Sequence, residues 1–366
     1  MHPLVRTLLF SLSPETAHNV ATGTARVAQS VMPRVIDSAY SYAHPRLHTS
    51  LFGKQFTNPI GLAAGFDKNA QLITFWRKLG FGFVEVGSVS ARRSRGNKRP
   101  RAFRLPDDEA LINRMGLNNH GAARIARRVQ RHAGTKAFPV GVNIAKTNDP
   151  AITGEAAIED FCISFRILAP FADYIALNVS CPNTEDGRTF EDPNSLDDLL
   201  RAIAAERQEL IRKPPILVKF SPPMTDTFVL DSLIDELVMV SLAHGVNGFI
   251  AANTAADRDH LVSDPKLLEA IGPGGVSGYP IQSRSTQLVR YLYRRTSGKL
   301  PIIGVGGVAS AEAAYAKIRA GASLVQLYTG LVYHGPILIR EIKQNLVRLL
   351  QEDGFSAISK AVGLDA

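Results

Sequence analysis

The chain has 366 residues, 45% hydrophobic and 20% charged, a composition that excludes wholesale disorder and fibrous repeats. Its 42 basic against 33 acidic residues give a net charge of +9, which favours an anionic partner: nucleic acid, a phosphate-bearing ligand or acidic lipid. Two cysteines, Cys162 and Cys181, are too few for a disulfide framework, and no apolar run is long enough to span a membrane.

Residues 1–45 stand apart. They lack the apolar stretch and small-residue cleavage site of a secretory leader, so the mature chain is expected to begin near Met1 in a reducing compartment. Leu4, Val5, Leu8, Leu9 and Phe10 form a short apolar segment. Ser13 is then read as an N-cap with Pro14 at the first helical position. Ala17, Val20, Ala21, Val27, Ala28 and Val31 give the following helix one apolar face. Two such helices cannot bury themselves. They are expected either to close one end of the next domain as a lid or to dip into a bilayer.

From residue 58 to 351 short β-branched runs alternate with longer amphipathic ones. The predicted strands are Asn58–Phe66, Phe83–Ser90, Phe138–Ala145, Tyr174–Ser180, Ile216–Ser221, Gly248–Thr254, Pro301–Gly307 and Leu324–Gly330. The helical stretches include Glu155–Leu168, Ser195–Ile211, Asp226–Ala243, Ala309–Ala320 and Pro336–Gln351. Eight βα units predict a (β/α)8 TIM barrel over residues 46–366, with the N-terminal helical segment appended. The alternative is an open doubly wound sheet, against which the first turn lacks a dinucleotide fingerprint.

In such a barrel the C-terminal strand ends carry the chemistry. Gly306-Gly307, before a helix starting near Ser310, with Tyr328-Thr329-Gly330, forms a candidate phosphate cup. Lys219 ends an apolar strand, in phase with Leu217. Facing inward, it is a cation suited to an anionic cofactor; facing outward, it is a snorkelling lysine. Asn113, Asn143, Asn178, Asn183 and Asn253 are amides at loop or strand ends, suited to a planar ring of alternating N–H and C=O groups. Lys68 offers a cation for a carboxylate. Cys181, in a loop after strand four, is either a small buried thiol or a base tuned by its surroundings. Cys162 is read as core. Seven cations fall between Arg92 and Arg104: Arg92, Arg93, Arg95, Lys98, Arg99, Arg101 and Arg104. With poor aromatic interleaving, they favour an anionic lipid surface over nucleic acid, or a solvated loop.

Taken together these residues resemble the dihydroorotate dehydrogenases, in particular their membrane-associated, quinone-reducing class. The resemblance runs from Phe10 to Gly363 through Gly61-Leu62-Ala63-Ala64-Gly65-Phe66-Asp67-Lys68, Phe81-Gly82-Phe83-Val84-Glu85-Val86-Gly87-Ser88, Ile112-Asn113-Arg114-Met115-Gly116-Leu117-Asn118, Asn178-Val179-Ser180-Cys181-Pro182-Asn183-Thr184 and Ile303-Gly304-Val305-Gly306-Gly307-Val308. It implies an FMN barrel. By resemblance Ala64, Gly65, Phe66, Asp67, Lys68, Ser88, Asn143, Asn178, Lys219, Ala252, Gly278, Gly307, Tyr328 and Thr329 contact FMN. Lys68, Asn113, Arg114, Met115, Gly116, Leu117, Asn178, Asn183, Asn253 and Thr254 hold the substrate. Cys181 is the base, and His18, Arg104 and Tyr328 line a quinone site formed with the N-terminal helices. No metal site, nucleic acid or obligate protein partner is implied.

Two positions depart from the quinone class, which normally has Ser where Cys181 stands and Phe where Leu117 stands. Cysteine there is the habit of soluble relatives that use fumarate or NAD. The expected reaction is oxidation of dihydroorotate to orotate, with a membrane quinone as final acceptor, in pyrimidine synthesis. The expected location is the cytoplasmic face of a bacterial inner membrane. Other readings are the soluble type, a 2-hydroxy-acid oxidase using His120 as base, and a non-catalytic, membrane-docked phosphate-binding barrel.

Overall fold

The computed structural model describes residues 3–133, 138–180, 190–223 and 232–366. All eight predicted strands form, and they close into a parallel barrel in chain order. They are β1 (Ile60–Leu62), β2 (Phe83–Val89), β3 (Val140–Ile144), β4 (Tyr174–Asn178), β5 (Ile216–Phe220), β6 (Gly248–Ala251), β7 (Ile302–Val305) and β8 (Leu324–Leu327). Each ends before its predicted limit, because the polar residues at its C-terminal end leave the ladder to form the loops. Pairing of β8 with β1, Gln326 opposite Gly61, closes the ring and excludes the open sheet.

The two-residue period of a strand sorts the barrel into an inside and an outside. Phe83, Tyr174, Ala176, Leu217, Ile250, Ile303 and Leu324 fill the lumen as their own apolar cluster. Val84, Val86, Val142, Ile175, Leu177 and Val218 point outward into the larger core beneath the helices. Two interior glycines make the lumen's filling possible. A Cβ on Gly141 would stand 2.0 Å from the Tyr174 ring, and one on Gly61 would stand 2.3 Å from that of Phe83. Lys219 is in the inward phase with Leu217, so the snorkelling alternative is set aside.

The predicted helices are observed as Gly154–Leu168, Pro193–Gln208, Ala311–Arg319 and Ile337–Glu352. Of the stretch predicted from Asp226, Ser232–Ala243 is helical and residues 226–231 lie outside the described ones. Cys162 is buried in the Gly154–Leu168 helix, where burial pushes its thiol up to about 11.

At the N-terminus α1 (Pro3–Ser11) and α2 (Pro14–Val31) are followed by α3 (Pro33–Tyr40), which the sequence reading did not anticipate. Ser13 caps α2, its hydroxyl accepting from the Thr16 N–H at 3.3 Å. The predicted single apolar face of α2 is divided in two. Ala17 and Ala25 pack inward, whereas Val20, Val27 and Val31 are exposed, together with Leu4, Leu8 and Val35 on the neighbouring helices. Small residues let the helix approach the barrel closely, and the larger side chains remain on the outer side.

A three-stranded antiparallel sheet was also unforeseen. Ala110–Asn113 is its centre, with Ala102–Leu105 on one side and Gly275–Gly278 on the other. A bridge from Ala255 to Val276 ties it to the loop after β6. This sheet brings Arg104, Asn113, Ser277 and Gly278 from distant parts of the chain to the mouth of the barrel.

Candidate active site

A cavity of about 430 Å³ opens at the C-terminal ends of the strands and continues beneath the N-terminal helices. Lys219, Asn178, Ser88 and Asn253 lie at its barrel end, and His18, Thr22 and Ala25 line its helical end. The size suits a cofactor or substrate of several rings.

At the barrel end, strand alternation delivers a row of polar side chains above the apolar lumen. Lys219 stands opposite Asn178 in the β4–β5 register and is buried. Burial pushes its ammonium below the ordinary lysine range, and the negative charge of Glu85 opposes that push. The amides are linked in sequence. Asn253 Nδ2 donates to Asn178 Oδ1 at 3.0 Å, Asn178 Nδ2 to Ser88 Oγ at 3.1 Å, and Ser88 Oγ to Asn143 Oδ1 at 2.5 Å. Asn143 Nδ2 then donates to Glu85 Oε1 at 3.0 Å. Every member is oriented by its neighbour, which is the preorganisation a site needs to read a planar ring.

The loop after β1 supplies Ala64, Gly65, Phe66 and Lys68 to the cavity wall. The Lys68 ammonium donates to the Gly65 carbonyl at 2.6 Å. Burial, reinforced by the nearby Arg101 charge, pushes it down to about 8. Asp67 is fully occupied in shaping this loop: its carboxylate accepts from the N–H groups of Gln71 and Leu72, both at 2.8 Å, and from Trp76 Nε1 at 3.1 Å. The Phe66 ring meets Tyr328 edge-on at 5.0 Å and His18 at 4.9 Å. Desolvation, with the Lys68 charge second, pushes the His18 imidazole down to about 4 and leaves it neutral near pH 7.

The opposite wall is backbone-rich. Gly278, Gly306, Gly307 and Thr329 line it, and Thr329 Oγ1 shares a 2.9 Å hydrogen bond with Ser277. Gly307 has φ +69, and a Cβ there would fall 2.3 Å from Gln282, so only glycine lets the backbone face the cavity. The predicted helix after it starts at Ala311 and is capped by Ser310, its hydroxyl accepting from Ala313 N.

Among the residues named from sequence, Ala252, Asn113, Met115, Gly116, Leu117, Thr254, Arg104 and Tyr328 also line the cavity. Asn143 sits one layer below, wholly buried, and acts through Ser88. Arg114 is directed elsewhere: its guanidinium stacks 4.7 Å from the Phe103 ring centroid and donates to the carbonyls of Ile271 and Pro273. Cys181 and Asn183 lie outside the described residues. His120 does not line the cavity; its ring pairs with Arg128 at 3.2 Å, which removes the strand-end base that a 2-hydroxy-acid oxidase would use.

The basic segment is corrected in part. Arg92, Arg93, Arg95, Lys98 and Arg99 are exposed, but Arg101 is buried. Arg101 pairs with Glu15 of α2 at 2.7 Å and donates to the carbonyls of Arg95 and Asn97. Arg104 donates to Leu12 O at 2.8 Å and Leu9 O at 3.1 Å, satisfying carbonyls at the end of α1, and lies 4.6 Å from the Phe10 ring centroid. These two arginines hold the N-terminal helices in place rather than facing a lipid surface. Sequence reading missed Glu85, Phe10 and Thr22. Glu85 had a signal, as an acid in mid-strand among apolar residues; the other two depend on helix packing.

A family model described as Dihydroorotate dehydrogenase matches residues 46–350. A relative from Roseiflexus castenholzii, named dihydroorotate dehydrogenase (quinone), is 45% identical over 368 residues, covering 100% of this chain and 97% of its own. One of the same name from Nocardia farcinica is 42% identical over 367 residues, with 100% and 97% covered. The crystal structure of ligand-free DHODH from Eimeria tenella superposes with a TM-score of 0.86 at 33% identity, covering 96% of this chain and 99% of that one. The chain belongs to the dihydroorotate dehydrogenase family. The likeness to the quinone-named relatives extends over the N-terminal helices, since the whole chain is covered.

Proposed function

We infer that this protein oxidises (S)-dihydroorotate to orotate with FMN as its bound carrier and a membrane quinone as electron acceptor, a step in making UMP. The observation that carries this reading is the continuity of the cavity, which joins the amide ladder and Lys219 to a second arm roofed by α1 and α2.

The residues present fit FMN. A buried cation and amides at one end suit a flavin's pyrimidine edge, and the Gly307 and Thr329 turns at the other suit a phosphate. Bound FMN supplies the hydride acceptor for substrate C6 and the electron donor for quinone. Lys219 places positive charge against the ring system. Lys68 faces the substrate carboxylate, while Asn113, Asn178 and Asn253 match the N–H and C=O groups of the dihydropyrimidine ring. By its place in the motif Cys181 is the residue to take the C5 proton, a role that requires a base to come within hydrogen-bond reach of that proton or one water away. His18, neutral at working pH, and Arg104 border the helical arm, where the quinone enters.

Exposed Leu4, Leu8, Val27, Val31 and Val35 on α1 to α3 support peripheral attachment to an inner membrane, with the exposed arginines of residues 92–99 adding attraction to anionic lipid. No helix among the described residues is long and apolar enough to cross a membrane.

Thr22→Trp tests the two-armed reading by filling the helical arm alone. Quinone reduction should fall steeply, while dihydroorotate still bleaches the flavin at the wild-type rate. Undiminished quinone turnover in that variant would place the acceptor elsewhere.

A further inference from the structure

Glu85 takes no part in the reaction as derived above, yet it is wholly buried in the middle of the lumen. It stands on the inward phase of β2, in step with Phe83. Its Oε1 accepts from Asn143 at 3.0 Å; its Oε2 accepts from Tyr174 Oη at 2.9 Å and from Gln326 Nε2 at 2.8 Å. Donors from β3, β4 and β8 thus converge on one carboxylate. Burial and the Glu85 charge hold the Tyr174 phenol well above its usual range, so it stays a donor.

Lys219 faces the same barrel interior from β5, in the polar row above the lumen, and is also buried. A charge enclosed without a counter-charge is strongly destabilising, whereas two opposite charges in one low-dielectric space offset each other. Asp173, the acid adjacent to Tyr174, is held by Lys54 and Arg212 outside the lumen, both at 2.8 Å. Within the eight described barrel strands Glu85 is the one acid and Lys219 the one base, and both stand on the inward phase; the Glu85 charge opposes the desolvation of Lys219.

We propose that Glu85 is a positioning residue, supplying the buried negative charge that balances Lys219 and so keeps a cation at the floor of the site. What that cation does rests on the flavin reading; the pairing does not.

Glu85→Gln separates charge from hydrogen bonding. Its amide oxygen still accepts from Asn143. Its NH2 can donate to Tyr174 Oη and, after a turn of the Gln326 amide, to Gln326 Oε1, a buried atom with no hydrogen-bond partner among the described residues. Melting temperatures of the FMN-loaded wild type, Glu85→Gln, Lys219→Met and the double variant form a cycle. Each single change should lower the melting temperature, and the double variant should melt no lower than the worse single. FMN retention gives a second reading. Glu85→Gln should hold FMN more weakly than wild type, the loss should deepen as pH rises, and acid should restore retention by returning the Lys219 proton.

Additive losses in melting temperature, with FMN retention unchanged, overturn the proposal. If Lys219→Met does not fold, the pH profile of FMN retention in Glu85→Gln decides: a loss that deepens with rising pH supports the pairing, and a profile parallel to wild type refutes it. Should the wild type bind no FMN, the flavin reading fails while the cycle, run on the protein as isolated, still tests the pair.

Discussion

The His18 ring on α2 stands edge-on to the Phe66 ring of the first barrel loop, with centroids 4.9 Å apart and planes at 65°. This contact joins the appended helices to the loop that carries Lys68, and it is where the two arms of the cavity meet. It also removes His18 from water, which is why the imidazole is pushed down to about 4.

An acid-sensitive stability follows. An unfolded histidine titrates near 6.5, so between about 6.5 and 4 the unfolded chain binds more protons than the folded one. The contribution of His18 is present above that window and is lost as pH falls through it. Thermal melts taken from pH 7 to 4 should lose stability there, and His18→Gln should flatten the decline. An unchanged slope in the variant would show that the His18 proton is not linked to folding.

Lys68 is expected to set the alkaline limb of catalysis. Its ammonium is pushed down to about 8, so it loses its charge as pH rises through that value. The free-enzyme profile of kcat/KM for dihydroorotate should fall above pH 8, approaching about tenfold per unit. A profile flat from pH 8 to 9.5 would mean that Lys68 keeps its proton or does not meet the substrate.

Arg101 locks α2 onto the barrel through Glu15, with the two side chains 6% and 14% exposed. Breaking a buried pair by removing one partner typically costs about 3–5 kcal/mol. Arg101→Met should therefore lower the chemical stability by that order and release the N-terminal helices to hydrogen exchange. Full protection of α2 in the variant would reduce the pair to a surface contact.

Cys181 should behave as the base. Cys181→Ala should slow anaerobic flavin reduction by about 10²–10⁴-fold with orotate binding little changed, the usual contribution of a general base. Cys181→Ser should keep some activity with its optimum moved to higher pH, because a hydroxyl is the poorer base near neutrality. Near-normal reduction by the alanine variant would assign the proton another route.

The barrel was legible because each strand is a compact β-branched run between helical periods, and the inward position of Lys219 follows from its phase with Leu217. The same phase reading applied to Phe83 and Glu85 points to the buried carboxylate, which the motif concealed by reading as a strand. The sheet of Ala102–Leu105, Ala110–Asn113 and Gly275–Gly278 was not legible: its third strand pairs across more than 160 residues, and its hairpin of two four-residue strands is too short to show a period. Nor was the inward turn of Arg101 and Arg104. A cluster of cations reads as a solvated patch until the helix carbonyls and the Glu15 carboxylate that face it are placed by the fold. Arg114 followed the family motif by position, but its guanidinium turned to carbonyls that only the tertiary structure supplies.

The visible spectrum of the purified protein without oxygen tests the account most directly. Bound FMN should give a yellow protein that dihydroorotate bleaches, and a lipid-soluble quinone should restore the colour within the turnover time while fumarate and NAD do not. A correctly folded protein that stays colourless after incubation with FMN, or one recoloured by fumarate or NAD but not by quinone, would contradict it.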